Sequence, residues 1–330
     1  MKTSMKMIFA LAVFAVLLTS GPAYARDQIQ IVGSSTVYPF ATVVAERLGA
    51  KGMFKTPVIE STGTGGGMKL FCGGIGEKYP DITNASRAMK DTEWEMCKQN
   101  GVKDIVEITI GNDGIAFASS LKSKKLNFSV EQLWKAMAAK GPKPHKWSEI
   151  DPSLPNVAIR ILTPPPTSGT RDAWNALVMS KGCDAKVKAA DKDSCELMRE
   201  DGAVIEAGEN DALLVQKLEA DPSLYGIFGF SYLDGNRDKI QAASINGVDI
   251  SLASIQSYEY PVSRPLFFYV KKAHIGVIPG IREYLKEFTS TSAVGDDGYL
   301  ADRGLVPLEP KKLTAVRSAA ANLTPMTMSK

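Results

Sequence analysis

Gln28-Ile29-Gln30-Ile31-Val32-Gly33-Ser34-Ser35-Thr36-Val37 is the stretch from which the fold is read. Its first half alternates and is β-branched at Ile29, Ile31 and Val32, the mark of a strand. Its second half is a turn of small residues. From Val37 to Leu48 apolar residues recur at helical spacing (Val37, Phe40, Ala41, Val44, Leu48), and Pro39 suits an early helical position. A strand that turns into a helix in this way leaves the first helical amides unpaired, at the positive end of the helix dipole. Glycine lets an anion approach such a backbone, and serine and threonine add hydroxyl donors.

The arrangement recurs twice. Pro57 to Glu60 reads as a strand, followed by Ser61-Thr62-Gly63-Thr64-Gly65-Gly66-Gly67 and a helix from Met68. Val157 to Leu162 reads as another. Beyond the stiff Thr163-Pro164-Pro165-Pro166 come Thr167-Ser168-Gly169-Thr170-Arg171 and a helix to Met179. One such turn is an ordinary helix cap. Three in one chain point to a cage for an oxyanion. The glycine run lacks the lysine of a P-loop, so nucleotide binding is not expected.

Working outward, Asp81-Ile82-Thr83 reads as a strand ending at Asn84-Ala85-Ser86-Arg87, with a helix from Thr92. Val106–Ile110 and Ile115–Ala118 read as two strands flanking Gly111-Asn112-Asp113-Gly114. Ser129 caps a helix through Met137, Asn210–Leu218 is another, and Tyr225–Phe230 and Val262–Val270 are strands. Ile281–Phe288 and Thr291–Leu300 read as the last helices, and the Ser-, Ala- and Thr-rich tail beyond Leu313 as loosely held. Strands alternating with helices predict an α/β protein with mainly parallel sheets and a ligand beyond the carboxyl ends of the strands.

Composition narrows the function. Hydrophobic content of 44% and charge of 23% are globular values, and a net charge of +3 gives no reason to expect nucleic acid or a polybasic membrane arm. Lys2 and Lys6, the apolar run Met7–Leu18 and Ala23-Tyr24-Ala25 spell a signal peptide over residues 1–25, with the mature chain starting at Arg26 outside the cytoplasm. All four cysteines follow it. In an oxidising compartment an even count implies disulfides, and Cys72–Cys97 and Cys183–Cys195 are the pairings that close local loops. Neither their spacing nor the two histidines, His145 and His274, fit a zinc site. No nucleophile with a partnered base stands out, and no cofactor is expected. The four tryptophans read as packing residues.

Taken together, Gly33-Ser34-Ser35-Thr36-Val37-Tyr38-Pro39, the Glu60–Gly67 stretch, Asp81-Ile82 leading to Ala85-Ser86-Arg87, Asp113-Gly114-Ile115, Ser168-Gly169-Thr170-Arg171 and the late Tyr260-Pro261-Val262-Ser263-Arg264-Pro265-Leu266 follow a known order. In these motifs the chain resembles the phosphate-binding component of bacterial phosphate ABC importers, a type II periplasmic binding protein. The resemblance implies two α/β lobes joined by two crossover strands. Residues 26–112 would begin lobe I, 113–263 form lobe II, and 264–330 return to lobe I as its end and tail. It implies inorganic phosphate in the interlobe cleft, delivery to a membrane permease and its ATPase, a periplasmic location, a monomer and no catalysis.

The resemblance also assigns ligands. Ser35, Thr36 and Val37 match the first anion motif, Val37 through its backbone amide; Thr64 stands where the family has a serine; Ser168, Gly169 and Thr170 match the second anion turn. Two positions depart from the family. Arg87 replaces an aspartate that accepts the phosphate proton, and Pro164 replaces an arginine. The cation is therefore expected from Arg87 or Arg171, and the proton acceptor from Glu60, Asp81 or Asp113, with Asp113 favoured for its place beside the presumed hinge. Other tetrahedral oxyanions (sulfate, arsenate, a phosphonate) and an exported sensory module remain alternatives.

Overall fold

The computed structural model describes residues 26–166, 168–208 and 210–328. The expected signal peptide and Thr167 of the third motif lie outside them. The first strand, β1 (Gln30–Gly33), pairs in parallel with β2 (Val58–Ser61) on one side and β3 (Ile82–Ala85) on the other. Helix α1 (Tyr38–Ala50) follows β1 with Pro39 in its first turn, and α2 (Gly63–Phe71) follows β2. Gly33 has φ of +123°, and a Cβ there would lie 2.2 Å from the Asn84 carbonyl oxygen. Only glycine lets β1 end this close to β3 and still turn.

Gly111-Asn112-Asp113-Gly114 does not separate two strands. The two expected strands are one, β4 (Ile105–Ser120), because its neighbours hold the chain extended. Its first part, through Gly114, lies antiparallel to β11 (Ser263–Lys271), and Asn112 exchanges backbone hydrogen bonds with Val306. From Ile115 onward it pairs instead with β8 (Tyr225–Gly229) and β9 (Ile240–Ala242). Behind β8 lie β6 (Ile161–Thr163) and β7 (Val204–Glu206), both parallel. A small separate pair joins β5 (Asn127–Phe128) to β10 (Ser244–Ile245). The sheet order β2-β1-β3-β11-β4-β8-β6-β7 therefore runs through both lobes with β4 common to them. It is mixed, because β11 runs antiparallel to β3 and β4, and β4 runs antiparallel to β8 and β9.

Hydrophobic burial divides the same way. One core gathers Ile115 to Val262, including Trp134, Trp147 and Trp174, with Phe117 stacked on Tyr225 at 4.7 Å. A second gathers residues from Ile29 to Ile110 with Leu266 to Leu323, and a smaller third gathers Met68, Phe71, Met89, Phe267 and Tyr269. The tail is not loose. Pro310–Asn322 is a helix, Ala320 and Leu323 enter the second core, and the Met326 amide donates to the Ile105 carbonyl. Alanine-rich sequence here serves a helix against the core, a use that its low hydrophobicity conceals. The helix read over Thr291–Leu300 stops at Val294, before Gly295. Both cysteine pairs are disulfides, Cys72–Cys97 and Cys183–Cys195. Among the described residues no helix is long and apolar enough to cross a membrane.

Candidate oxyanion site

Two helix starts from opposite lobes meet at one cavity of about 650 Å³. Lobe I brings Ser35 and Thr36 ahead of α1. Lobe II brings Ser168, the N-cap of α3 (Gly169–Trp174), with Gly169 and Thr170 in its first turn. The α3 helix runs on through a π-helical turn, Asn175–Met179, of the kind often found at functional sites. The lobes touch here. Thr36 Oγ1 donates to the Gly169 carbonyl at 3.0 Å, and a Cβ on Gly169 would sit 2.5 Å from Thr36 Cα. Ser61, Asp113, Pro164, Ser231, Tyr232 and Arg303 complete much of the wall.

Asp113 is largely buried and directly opposite Arg264 in the β4–β11 register. Arg264 Nε lies 3.6 Å from Asp113 Oδ2. Its Nη2 donates to Thr36 Oγ1 at 2.9 Å and lies 3.5 Å from Asp172 Oδ2 of α3. Burial pushes the Asp113 carboxyl above the ordinary aspartate range; the Arg264 charge pulls it back, and nearby Asp172 pushes the same way as burial. Asp113 is thus a buried carboxyl whose pKa is raised, beside the amides and hydroxyls of two helix starts. Such a wall suits a tetrahedral anion that carries a proton.

The other expected residues lie elsewhere. Val37 is core, and its amide donates to the Ser34 hydroxyl oxygen at 3.4 Å. Thr64 Oγ1 accepts from the Ser86 amide at 3.1 Å, tying the glycine run to the end of β3. Neither arginine named for the cation lines the cavity. Arg87 grips Glu93 through two nitrogens, at 2.8 and 2.7 Å, and that pairing strengthens its hold on its proton. Arg171 is buried and clamps the end of β6, donating to Thr163 Oγ1 and the Pro164 carbonyl, both at 3.1 Å. Of the other acceptor candidates, Glu60 is exposed and Asp81 is enclosed with Arg26 and His274, both at 2.6 Å. Motif reading missed Arg264 and Arg303. Arg264 carried a signal, since it is the one charge in the apolar run Val262–Val270.

A profile of the PBP superfamily domain matches residues 18–292. The chain belongs to the PBP superfamily. It has the family's two-lobed type II periplasmic-binding-protein fold, and the family is one of substrate-binding proteins. Protein SphX of Synechococcus elongatus is 30% identical over 302 residues, covering 88% of this chain and 80% of the relative. The phosphate-binding protein PstS of Staphylococcus saprophyticus is 26% identical over 294 residues, covering 87% and 82%. Among solved structures, a possible phosphate binding protein from Planctomyces limnophilus superposes with a TM-score of 0.74 at 27% identity, covering 91% of this chain and 99% of that one. PstS from Borrelia burgdorferi shares the fold at a TM-score of 0.60 and 20% identity, with 86% and 100% covered.

Proposed function

We propose that this protein is a periplasmic solute-binding protein that captures inorganic phosphate in the interlobe cleft and passes it to the permease and ATPase of an ABC importer. The observation that carries this reading is the convergence of Ser35–Thr36 and Ser168–Thr170, from separate lobes, on a cavity that also holds Asp113. Amides and hydroxyls of the helix starts surround the anion, and Asp113 accepts the proton that phosphate has and sulfate lacks at neutral pH. Arg303, which lines the cavity, supplies the cation in place of Arg87 or Arg171. The names of the PstS relatives and of the Planctomyces structure support phosphate as the ligand. The two disulfides fit an oxidising compartment, as does the signal peptide read from residues 1–25.

Isothermal titration of ligand-stripped protein tests the reading. Phosphate should bind at micromolar protein or below, and sulfate should not compete near neutral pH. Absence of phosphate heat refutes it, and equal binding of both anions reassigns the site to an oxyanion without a readable proton.

A further inference from the structure

We propose that Arg264 is the positioning residue that makes the cleft selective, because one guanidinium ties the carboxylate of Asp113 to the contact between the two helix starts. The inference rests on the phosphate reading above and names what sets its selectivity. Arg264 does not line the cavity; it lies behind it, 8% exposed. Its position comes from β11, opposite Asp113 of β4. Three acceptors share it: Asp113 Oδ2 at 3.6 Å, Asp172 Oδ2 at 3.5 Å, and Thr36 Oγ1 at 2.9 Å. The Thr36 hydroxyl that accepts from Arg264 donates its own hydrogen to the Gly169 carbonyl. An unbroken chain of polar contacts therefore runs from the buried carboxylate of Asp113, through Arg264 and Thr36, across to lobe II.

This arrangement couples two things that a selective binder must do together. Both Asp113 Oδ2 and Arg264 Nε are buried and without a hydrogen-bond partner among the described residues. The carboxylate is therefore held near its counter-charge but not saturated by it, and keeps capacity to accept a ligand proton. The charged groups that act on Asp113 are Arg264 from β11 and Asp172 from α3, and Arg303 lines the same cavity. Arg264 is the buried cation among them, and its charge opposes the rise that burial and the Asp172 charge impose on the Asp113 carboxyl. When Thr36 and Gly169 part, the chain from Arg264 to lobe II through Thr36 is broken.

The test uses the mature protein with Arg264→Gln, Arg264→Lys and Asp113→Asn, reading phosphate and sulfate affinities by calorimetry from pH 5 to 8. Circular dichroism and thermal melting check that each variant folds. Wild type should favour phosphate. Arg264→Gln should cut the phosphate-to-sulfate ratio by roughly tenfold to a hundredfold, the cost of a proton left without an acceptor. It should also move the acid-side loss of selectivity to higher pH, because Asp113 without its cation stays neutral further up the scale. Arg264→Lys, which keeps the charge, should hold the wild-type pH profile while losing affinity for both anions. Asp113→Asn should abolish the selectivity with no pH dependence of its own.

If Arg264 only supports the fold, Arg264→Gln will weaken both anions equally with an unmoved pH profile, and the inference is wrong. Should Arg264→Gln fail to fold, Arg264→Lys decides: selectivity lost at every pH, as in Asp113→Asn, overturns the proposal, and a retained pH profile supports it. A wild type that binds neither anion, or both alike, overturns the phosphate reading and this inference with it.

Discussion

Gly169→Ala should separate binding from folding. A methyl at this position would lie 2.5 Å from Thr36 Cα, 2.8 Å from Thr36 N and 3.0 Å from the Ser35 carbonyl carbon. The first is roughly 0.9 Å short of ordinary van der Waals contact. All three atoms are backbone, so no side chain can swing aside. Relief comes from moving the lobes apart, which stretches the 3.0 Å Thr36–Gly169 hydrogen bond beyond reach. Overpacking of this size costs about 1–3 kcal/mol, but only in the arrangement where the helix starts meet. Ligand affinity should therefore fall roughly 5- to 150-fold, while each lobe's core is untouched. The assay is calorimetry with phosphate beside thermal melting with and without it. The expected result is an unchanged melting temperature without ligand and a much smaller rise with it. Gly65→Ala, in α2 with open space around its Cβ position, is the control and should bind as wild type does. Affinity of Gly169→Ala within twofold of wild type would refute the claim that these helix starts must touch to hold the anion.

Three further outcomes follow from the fold. Reducing Cys72–Cys97 and Cys183–Cys195, whose partners are 25 and 12 residues apart, should lower stability by about 3.5 and 2.8 kcal/mol on the loop-entropy relation, read from urea midpoints with and without reductant. Lys271 is buried with its Nζ donating to the Gly74 carbonyl, and burial drops its pKa from 10.5 to about 7. Between those values the unfolded chain binds the proton and the folded one does not, so stability should rise with pH from about 7 towards 10, by at most ~1.4 kcal/mol per unit, and Lys271→Met should flatten that rise. Truncation after Glu309 should lower the melting temperature by several degrees, because it strips Ala320 and Leu323 from the second core.

The strand-to-helix turns were legible because each is local: glycine, hydroxyls and a change from period two to helical spacing all lie within ten residues. The disulfide pairs were legible for the same reason. What the sequence concealed was set by partners far along the chain. Gly111–Gly114 looks like a turn by itself, and becomes strand because Ser263–Leu266 and Val306 pair with it. The motifs place the cation at Arg87 or Arg171, where local bonds to Glu93 and Thr163 already engage both side chains. Arg264 and Arg303 arrive on the return segment, at least 94 residues beyond Thr170, and only the register of β11 on β4 sets Arg264 against Asp113.

That register also explains why an anion site tolerates two carboxylates. Asp113 and Asp172 flank one guanidinium, and the hydroxyl of Thr36 is already committed on both sides, accepting from Arg264 and donating to Gly169. A site meant to hold any dianion would be better served by removing one acid and freeing the hydroxyl. Here the amides of the helix starts supply the attraction, which is indifferent to the ligand's proton. Asp113 supplies a penalty that falls only on an anion with no proton to give. Affinity and selectivity thus reside in different atoms. Asp172→Asn should therefore leave phosphate preferred at least as strongly as in wild type, because it eases the repulsion of either dianion alike and removes a charge that pushes the Asp113 carboxyl up; titration of both anions at pH 7 measures it. A gain for sulfate alone would mean that Asp172 itself penalises the missing proton.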